Sequence, residues 1–354
     1  MANIQILDCT LRDGGLGLED AEKNKIASVY FNGEDIKETA DCLTKAKIDI
    51  IELGSLEITQ DDRKKFAIYP SVESISVTIP NMKNPNQMYA ALFRGPDTPI
   101  EDIPNWNPSL CEVVRVIIRY SELQKSLDFC AALSEKGYKV FVQPMLTMRY
   151  TDDEIALLIE ESNRMKAYAL YFVDSYGYMQ DNDVRRLFDM YNNKLNPEIK
   201  IGFHAHNNMN LAFSNVLSFI EMADKAGRDI VIDSCLLGMG QGAGNLQTEL
   251  MIGYLSQIKE AKYDYDEVLN GCEVVEKYTE QTLWGYSVTR LLPAIHKAAY
   301  KYAIVLRSQY GLKYSDMNTI FANMSTELKQ RYTPENVVKV LEEAGFVYKI
   351  RNEE

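Results

Sequence analysis

The stretch IKIGFHAHNN, residues 199–208, carries two of the three histidines in a chain of 354 residues. Its first half has the β-branched, apolar composition of a buried strand. Side chains at i and i+2 of a strand point to one face, so His204 and His206 emerge side by side at the strand's C-terminal end. That arrangement suits one divalent metal; the plainer alternative is two hydrogen-bonded polar residues at a strand end.

Other polar residues fall at comparable places. The run Ile4–Asp8 reads as a strand that breaks into CTLRDGGLG and supplies Asp8, Thr10, Arg12 and Asp13. Further strand ends offer Glu52, Arg119, Gln143, Asp174 with Ser175, and Asn207 with Asn208, and a last one leads through Asp233 into the loop ending at Asn245. Asp13, His204, His206 and Asn245 would make a shell of two nitrogens and two oxygens with open positions. With no thiolate in that shell, Mn²⁺ or Mg²⁺ is the expected ion. Arg12 has the planar fork to clamp a carboxylate or steady an enolate oxygen, or it pairs with a carboxylate such as Glu52. Glu52, Gln143 and Ser175 are the expected substrate contacts. The run GMGQGAGN (238–245) lacks a P-loop lysine and follows the last strand, so it reads as a tight loop that brings backbone and Asn245 close to a ligand.

These residues need a frame that gathers strand ends. Strand-like runs at 4–8, 49–53, 88–93, 113–118, 140–145, 169–174, 199–204 and 229–233 alternate with helical patterns. Ser71–Ile79 has strand composition but begins like a capped helix. Thr151 and Glu154 stand in capping-box spacing before a helix to Met165. About eight strand–helix units predict an α/β fold, a (β/α)8 TIM barrel, whose site lies at the C-terminal strand ends. A doubly wound open sheet is the weaker alternative, since the first strand lacks a G-x-G-x-x-G turn. Residues 1–262 form the predicted barrel domain. Residues 263–354 form a helical C-terminal region packed on it, with helices at 266–280, 286–305, 315–329 and 333–344.

Composition narrows the function classes. Hydrophobic residues make up 46% and charged ones 25%, as in an ordinary globular protein. The net charge of −13 argues against a nucleic-acid partner, which needs a basic surface. The six scattered cysteines lack C-x-x-C spacing, so most read as buried small hydrophobes. No signal peptide and no membrane span is apparent, and a cytoplasmic location is expected.

Three motifs, LDCTLRDGG (7–15), HAHNN (204–208) and GMGQGAGN (238–245), together resemble the pyruvate carboxyltransferase/3-hydroxy-3-methylglutaryl-CoA lyase superfamily of metal-dependent aldolases and lyases. The chain is most similar to its 4-hydroxy-2-oxovalerate aldolase-like members. The resemblance implies a divalent metal on Asp13, His204 and His206, with Asn245 as a further ligand or support, and Arg12 steadying the enolate of a pyruvate-like 2-oxo acid. It departs in one place: Leu16 stands where those aldolases carry their acid/base histidine. Tyr286, in WGYS, roughly matches a tyrosine near their site and is the candidate for the proton work. Two rival readings accompany this one: a Claisen-type synthase joining an acyl-CoA to a 2-oxo acid, and an altered barrel kept as a scaffold. The resemblance also implies a homo-oligomer or an aldehyde dehydrogenase partner.

Overall fold

The structure, a computed structural model, describes residues 2–58, 63–258, 262–282 and 284–345. The last residues of the predicted C-terminal region, 346–354, lie outside these. In chain order the elements are β1 (Ile4–Asp8), α1 (Gly15–Lys23), α2 (Gly33–Lys45), β2 (Ile50–Leu56), β3 (Ile68–Tyr69), α3 (Val72–Ser76), β4 (Met88–Phe93), β5 (Val113–Ile118) and α4 (Leu123–Glu135). Then come β6 (Lys139–Pro144), α5 (Asp152–Met165), β7 (Ala169–Asp174), α6 (Asp181–Lys194), β8 (Lys200–Ala205), α7 (Ala212–Ala226), β9 (Ile230–Ser234) and α8 (Thr248–Ile258). Six further helices follow: α9 (Tyr265–Thr282), α10 (Val288–Ile295), α11 (Tyr300–Ser308), α12 (Tyr314–Asn323), α13 (Thr326–Gln330) and α14 (Pro334–Glu343).

The strands are parallel and follow the order β1-β9-β8-β7-β6-β5-β4-β2, and β1 pairs again with β2 through Leu7 opposite Ile50. That last pairing closes an eight-stranded barrel; the two-residue β3 only flanks β2. Strands such as β4 and β7 are buried along their whole length, as parallel strands covered on both faces must be. The fold is therefore the expected (β/α)8 barrel with additional C-terminal helices, and the open-sheet alternative falls away.

Local signals account for most boundaries. Thr151 and Glu154 form the predicted capping box, with Glu154 N donating to Thr151 Oγ1 at 3.2 Å and Thr151 N to Glu154 Oε2 at 2.7 Å. The ambiguous stretch from Ser71 resolves as a short helix, because Ser71 and Ser74 cap each other's backbone N–H. The helix expected over 286–305 is two helices: α10 stops at Ile295, Lys297 takes a left-handed backbone, and α11 starts at Tyr300. The one expected over 315–329 breaks where Met324 is extended and Ser325 caps a new helix by accepting Leu328 N.

The apolar core divides along the chain. α9 contributes Val268, Val275 and Tyr278 to the barrel's core, whereas Leu292, Tyr302, Leu306, Phe321 and Leu341 form a separate cluster among α10–α14. Among the described residues no helix is long and apolar enough to cross a membrane.

Candidate active site

Strand parity builds the site from below. Glu52, Arg115, Tyr171, His204 and Asp233 all turn into the barrel, and their side chains interlock there. Arg115, wholly buried in the apolar strand β5, donates from Nη1 to Glu52 Oε2 at 2.7 Å and from Nη2 to Asp233 Oδ2. Tyr171 OH donates to Asp233 Oδ1 at 3.0 Å. The tyrosine ring lies over Gly202, where a Cβ would come within 2.2 Å of it. Glu52 Oε2 also accepts from Arg12 Nε at 2.8 Å. Burial favours the neutral form of Arg115, but Asp233 and Glu52 outweigh it and hold the guanidinium charged.

Above this layer the chain between β1 and α1 makes a π-helical turn, Thr10–Gly14, of the kind found often at functional sites. It places Arg12 and Asp13 together, Nη1 to Oδ1 at 2.5 Å, and both are buried. Asp8, at the end of β1, instead accepts from Thr248 Oγ1 at 2.6 Å and Thr10 N at 2.9 Å.

The two imidazoles meet as strand parity requires. His204 Nδ1–H donates to Asp233 Oδ2 at 2.8 Å, and His206 Nδ1–H donates to the Gln241 carbonyl at 3.1 Å. Each outer nitrogen is thus committed to an acceptor, and the two Nε2 atoms face each other at 3.2 Å. Two bare lone pairs at that separation repel, so a proton or a cation belongs between them. Burial works against a charge on His204, but the Asp233 bond, helped by Cys9, outweighs it and raises its pKa to about 9. Burial, with His204 and Arg12 beside it, lowers His206 to about 4 against the pull of Asp13. Burial would also raise Asp13, yet Arg12 and both histidines hold it well below the usual carboxylate range.

Asn245 completes the group. Its Nδ2 donates to Asp13 Oδ2 at 2.6 Å and to the Met239 carbonyl at 3.1 Å, which fixes the amide's orientation. Its Oδ1 is left buried with no hydrogen-bond partner among the described residues. Such an atom carries a desolvation cost that a cation would relieve. Gly240 makes room for the contact: a Cβ there would stand 2.3 Å from Asn245 Nδ2 and 2.5 Å from Asp13 Oδ2. Asp13, His204 and His206 offer ligand atoms within 4.8 Å of one another, enough to hold a metal ion. Imidazole and oxygen donors with Asn245 Oδ1 beside them suit the expected ion, so the residues present fit it.

The remaining expected residues are distributed unevenly. Gln143 is buried, and its Nε2 has no partner among the described residues. Glu52, expected as a substrate contact, is wholly buried and supports Arg12 and Arg115, with Oε1 unpartnered. Ser175 Oγ accepts the Leu146 N–H at 2.8 Å and so ties the ends of β6 and β7 together. Arg119 binds Asp97 and Glu122 at the barrel rim. Tyr286 is 57% exposed, ahead of α10, outside the hydrogen-bonded cluster. Leu16, at the position of the missing base, is buried on α1.

Sequence reasoning missed two features. One is Arg115, whose only signal is a charge in the middle of VVRVII. The other is how the C-terminal helices clamp the glycine loop. Trp284 Nε1 donates to the Gly240 carbonyl, and Asp20 accepts from Tyr300 OH, from Lys301 Nζ at 2.8 Å and from Gln241 Nε2 at 2.8 Å. The same Gln241 holds His206 through its carbonyl, so the clamp reaches the histidines.

Fold and strand-end cluster together define a (β/α)8-barrel enzyme. The chain belongs to the HMGL-like family, whose profile matches residues 3–275. It is 28% identical over 276 residues to a 4-hydroxy-2-oxovalerate aldolase of Thermomicrobium roseum, covering 72% of this chain and 67% of that one. A second such aldolase, from Pelotomaculum thermopropionicum, is 28% identical over 282 residues, 77% of this chain and 76% of that one. Among solved structures, the N-terminal domain of a candidate aldolase from Bacteroides vulgatus matches with a TM-score of 0.70 at 23% identity, covering 87% and 98% of the two chains. The HMG-CoA lyase of Brucella melitensis matches at 0.61 and 14%, covering 79% and 100%. The structural likenesses carry the fold; family and relatives make the chain a carbon–carbon lyase of the aldolase type, as its motifs suggested.

Proposed function

We propose that the protein is a divalent-metal-dependent aldolase that makes or breaks a C–C bond through the enolate of a pyruvate-like 2-oxo acid. The observation that carries this reading is the set of donor atoms gathered in one buried group: the facing Nε2 atoms, the Asp13 carboxylate and the orphaned Asn245 Oδ1. Asp13, His204, His206 and Asn245 would hold the ion, with Mn²⁺ or Mg²⁺ favoured by the absence of a thiolate among them. Such an ion supplies Lewis-acid stabilisation of the enolate.

The chain's own residues do the rest. Arg12, fixed by Glu52 and Asp13, presents a permanent positive charge to the developing enolate. Asp233 and the Gln241 carbonyl hold both imidazoles in the tautomer that leaves Nε2 available. Gln143 Nε2 and the hydroxyl proton of Ser175 are donors for the substrate's carboxylate. Three buried carboxylates (Asp13, Glu52, Asp233) face two guanidiniums (Arg12, Arg115), so a divalent ion bound in place of the imidazole proton leaves the pocket net positive, which suits an anionic substrate. With Leu16 unable to carry a proton, we assign the aldehyde-side proton to Tyr286. Trp284, two residues before it, is bonded to the metal-site loop, which keeps this segment at the barrel mouth. We further read 263–354 as the helical region that would meet a second copy or an aldehyde dehydrogenase, in a cytoplasmic protein.

The test is the metal content of purified protein, followed by pyruvate release from a panel of 4-hydroxy-2-oxo acids with Mn²⁺ added. Stoichiometric metal and pyruvate release are expected. His204→Ala and His206→Ala should each lose metal and activity together, and a metal-free variant with full activity would refute the site. Tyr286→Phe should lower kcat with metal content unchanged; an unaltered kcat removes Tyr286 from the mechanism.

A further inference from the structure

The floor of the site holds two thiols that the aldolase reading does not use. Asp8 of β1 pairs with Ser234 of β9, so the residues that follow, Cys9 and Cys235, face each other. Their Sγ atoms are 3.3 Å apart and both residues are wholly buried. Cys9, His204 and Asp233 bring their ligand atoms within 4.8 Å of one another, the only such group with a cysteine among the described residues.

We propose that Cys9, Cys235, His204 and Asp233 form a second metal site, for a thiophilic divalent cation such as Zn²⁺ or Cd²⁺, which shares His204 with the first. Two sulfurs, an imidazole nitrogen and a carboxylate oxygen are a tetrahedral zinc donor set, and donors around such an ion lie about 3–4 Å apart. Cys9, His204 and Asp233 stand near that spacing without an ion, and Cys235 Sγ lies 3.3 Å from Cys9 Sγ at their side. Binding breaks two S–H bonds and the His204 Nδ1–H bond, forms two metal–sulfur bonds and one metal–nitrogen bond, and releases the displaced protons to water. Both thiolates have partners ready: the Asn245 amide donates to Cys235 Sγ at 3.2 Å, and the Arg12 guanidinium acts on Cys9.

The shared histidine makes the two sites exclusive. An imidazole bound to a metal keeps one proton, and the Nδ1–H of His204 now points at Asp233. When Nδ1 binds the thiophilic ion, the proton that is kept sits on Nε2, and an Nε2–H cannot ligate a metal in the first site. Oxygen-preferring ions would therefore support the enzyme, whereas Zn²⁺ or Cd²⁺ would silence it from below. The exclusion rests on the aldolase reading; the existence of the thiolate site does not.

The experiment is a Cd²⁺ titration of the metal-stripped full chain, followed by the ultraviolet thiolate-to-cadmium charge-transfer band. The wild type and Asp13→Ala should each give the band at one equivalent. Cys9→Ser and Cys235→Ser should lose it while melting as cooperatively as the wild type. A wild type without the band, or a serine variant that keeps it, overturns the site. In a second arm, Mn²⁺ affinity is measured before and after one equivalent of Cd²⁺, with a loss of at least about tenfold expected. Unchanged Mn²⁺ affinity overturns the exclusion. A cadmium-free chain that binds no Mn²⁺ at all sinks the aldolase reading instead, and the band alone then decides the thiolate site.

Discussion

The barrel holds two clusters of arginines and carboxylates, and they differ in how far water reaches them. In the interior, the side chains of Arg12, Arg115, Glu52 and Asp233 are at most 7% exposed. On the rim, Arg119 pairs with Asp97 and Glu122 at side-chain exposures of 31–57%. Taking an ion out of water costs several kcal/mol, so each interior charge depends on a specific partner. Rim charges keep solvent as an alternative partner, and their pairs contribute little. The lesson is that rigid placement is confined to where the chemistry would occur. The chain Arg12–Glu52–Arg115–Asp233–His204 joins the enolate-stabilising arginine to the metal-site histidine through buried, charge-assisted bonds.

The largest expected effect comes from cutting that chain in the middle. Arg115→Met fills similar volume but leaves Glu52 and Asp233 facing each other with no cation between them. A loss of about 3–5 kcal/mol is expected in urea unfolding, as for other broken buried pairs. Adding Glu52→Gln should recover part of it, because the orphaned charge is then gone. A loss under about 1 kcal/mol would mean that the interior behaves like the rim, and the contrast would collapse.

Asp174 sharpens the contrast, since it is a buried carboxylate without a cation. It accepts backbone N–H groups, from Tyr178 at 2.9 Å and Met179 at 3.0 Å. Burial outweighs those bonds and raises its pKa to about 7. The folded state therefore keeps a proton that the unfolded chain gives up near its ordinary value of 3.8. The stability so gained is fully present below about pH 4 and is lost as pH rises through about 7, by up to roughly 4 kcal/mol. Asp174→Asn cannot titrate. The difference between wild-type and variant stability should fall across that window, and parallel pH profiles would exclude Asp174 as its source.

The same contrast marks what could be read from the amino-acid order. His204 and His206 were legible because strand parity alone puts them on one face, and Asp13 and Asn245 because barrel strands gather their ends. Arg115 is visible as a charge in an apolar strand, but its partners lie 63 and 118 residues away and meet it only when the barrel closes. The first helix, α1, was hidden by its glycines, which look like a loop. Those glycines serve close approach instead: a Cβ at Gly15 would stand 2.1 Å from the Phe66 carbonyl, and one at Gly17 would stand 2.7 Å from that of Gly240. Cys9 and Cys235 are 226 residues apart, and the clamp between Asp20 and Tyr300 spans 280. No local pattern announces contacts of that range.

The rim supplies the smallest expected effect and the strictest check on the comparison. Arg119, at the end of β5, binds Asp97 with both Nη atoms, reaches Glu122 at 3.0 Å and donates to the Arg94 carbonyl at 2.9 Å. The geometry is as full as that of Arg115, yet the side chain is 31% exposed and Asp97 is 57% exposed. Arg119→Gln should therefore cost less than about 1 kcal/mol, and the cost should shrink as salt is added. Its visible consequence should be local. Asp97 lies in the loop 95–108, so proteolytic nicking there should quicken while the unfolding midpoint barely moves. A salt-independent loss near that of Arg115→Met would show that bond geometry, not exclusion of water, separates the two clusters.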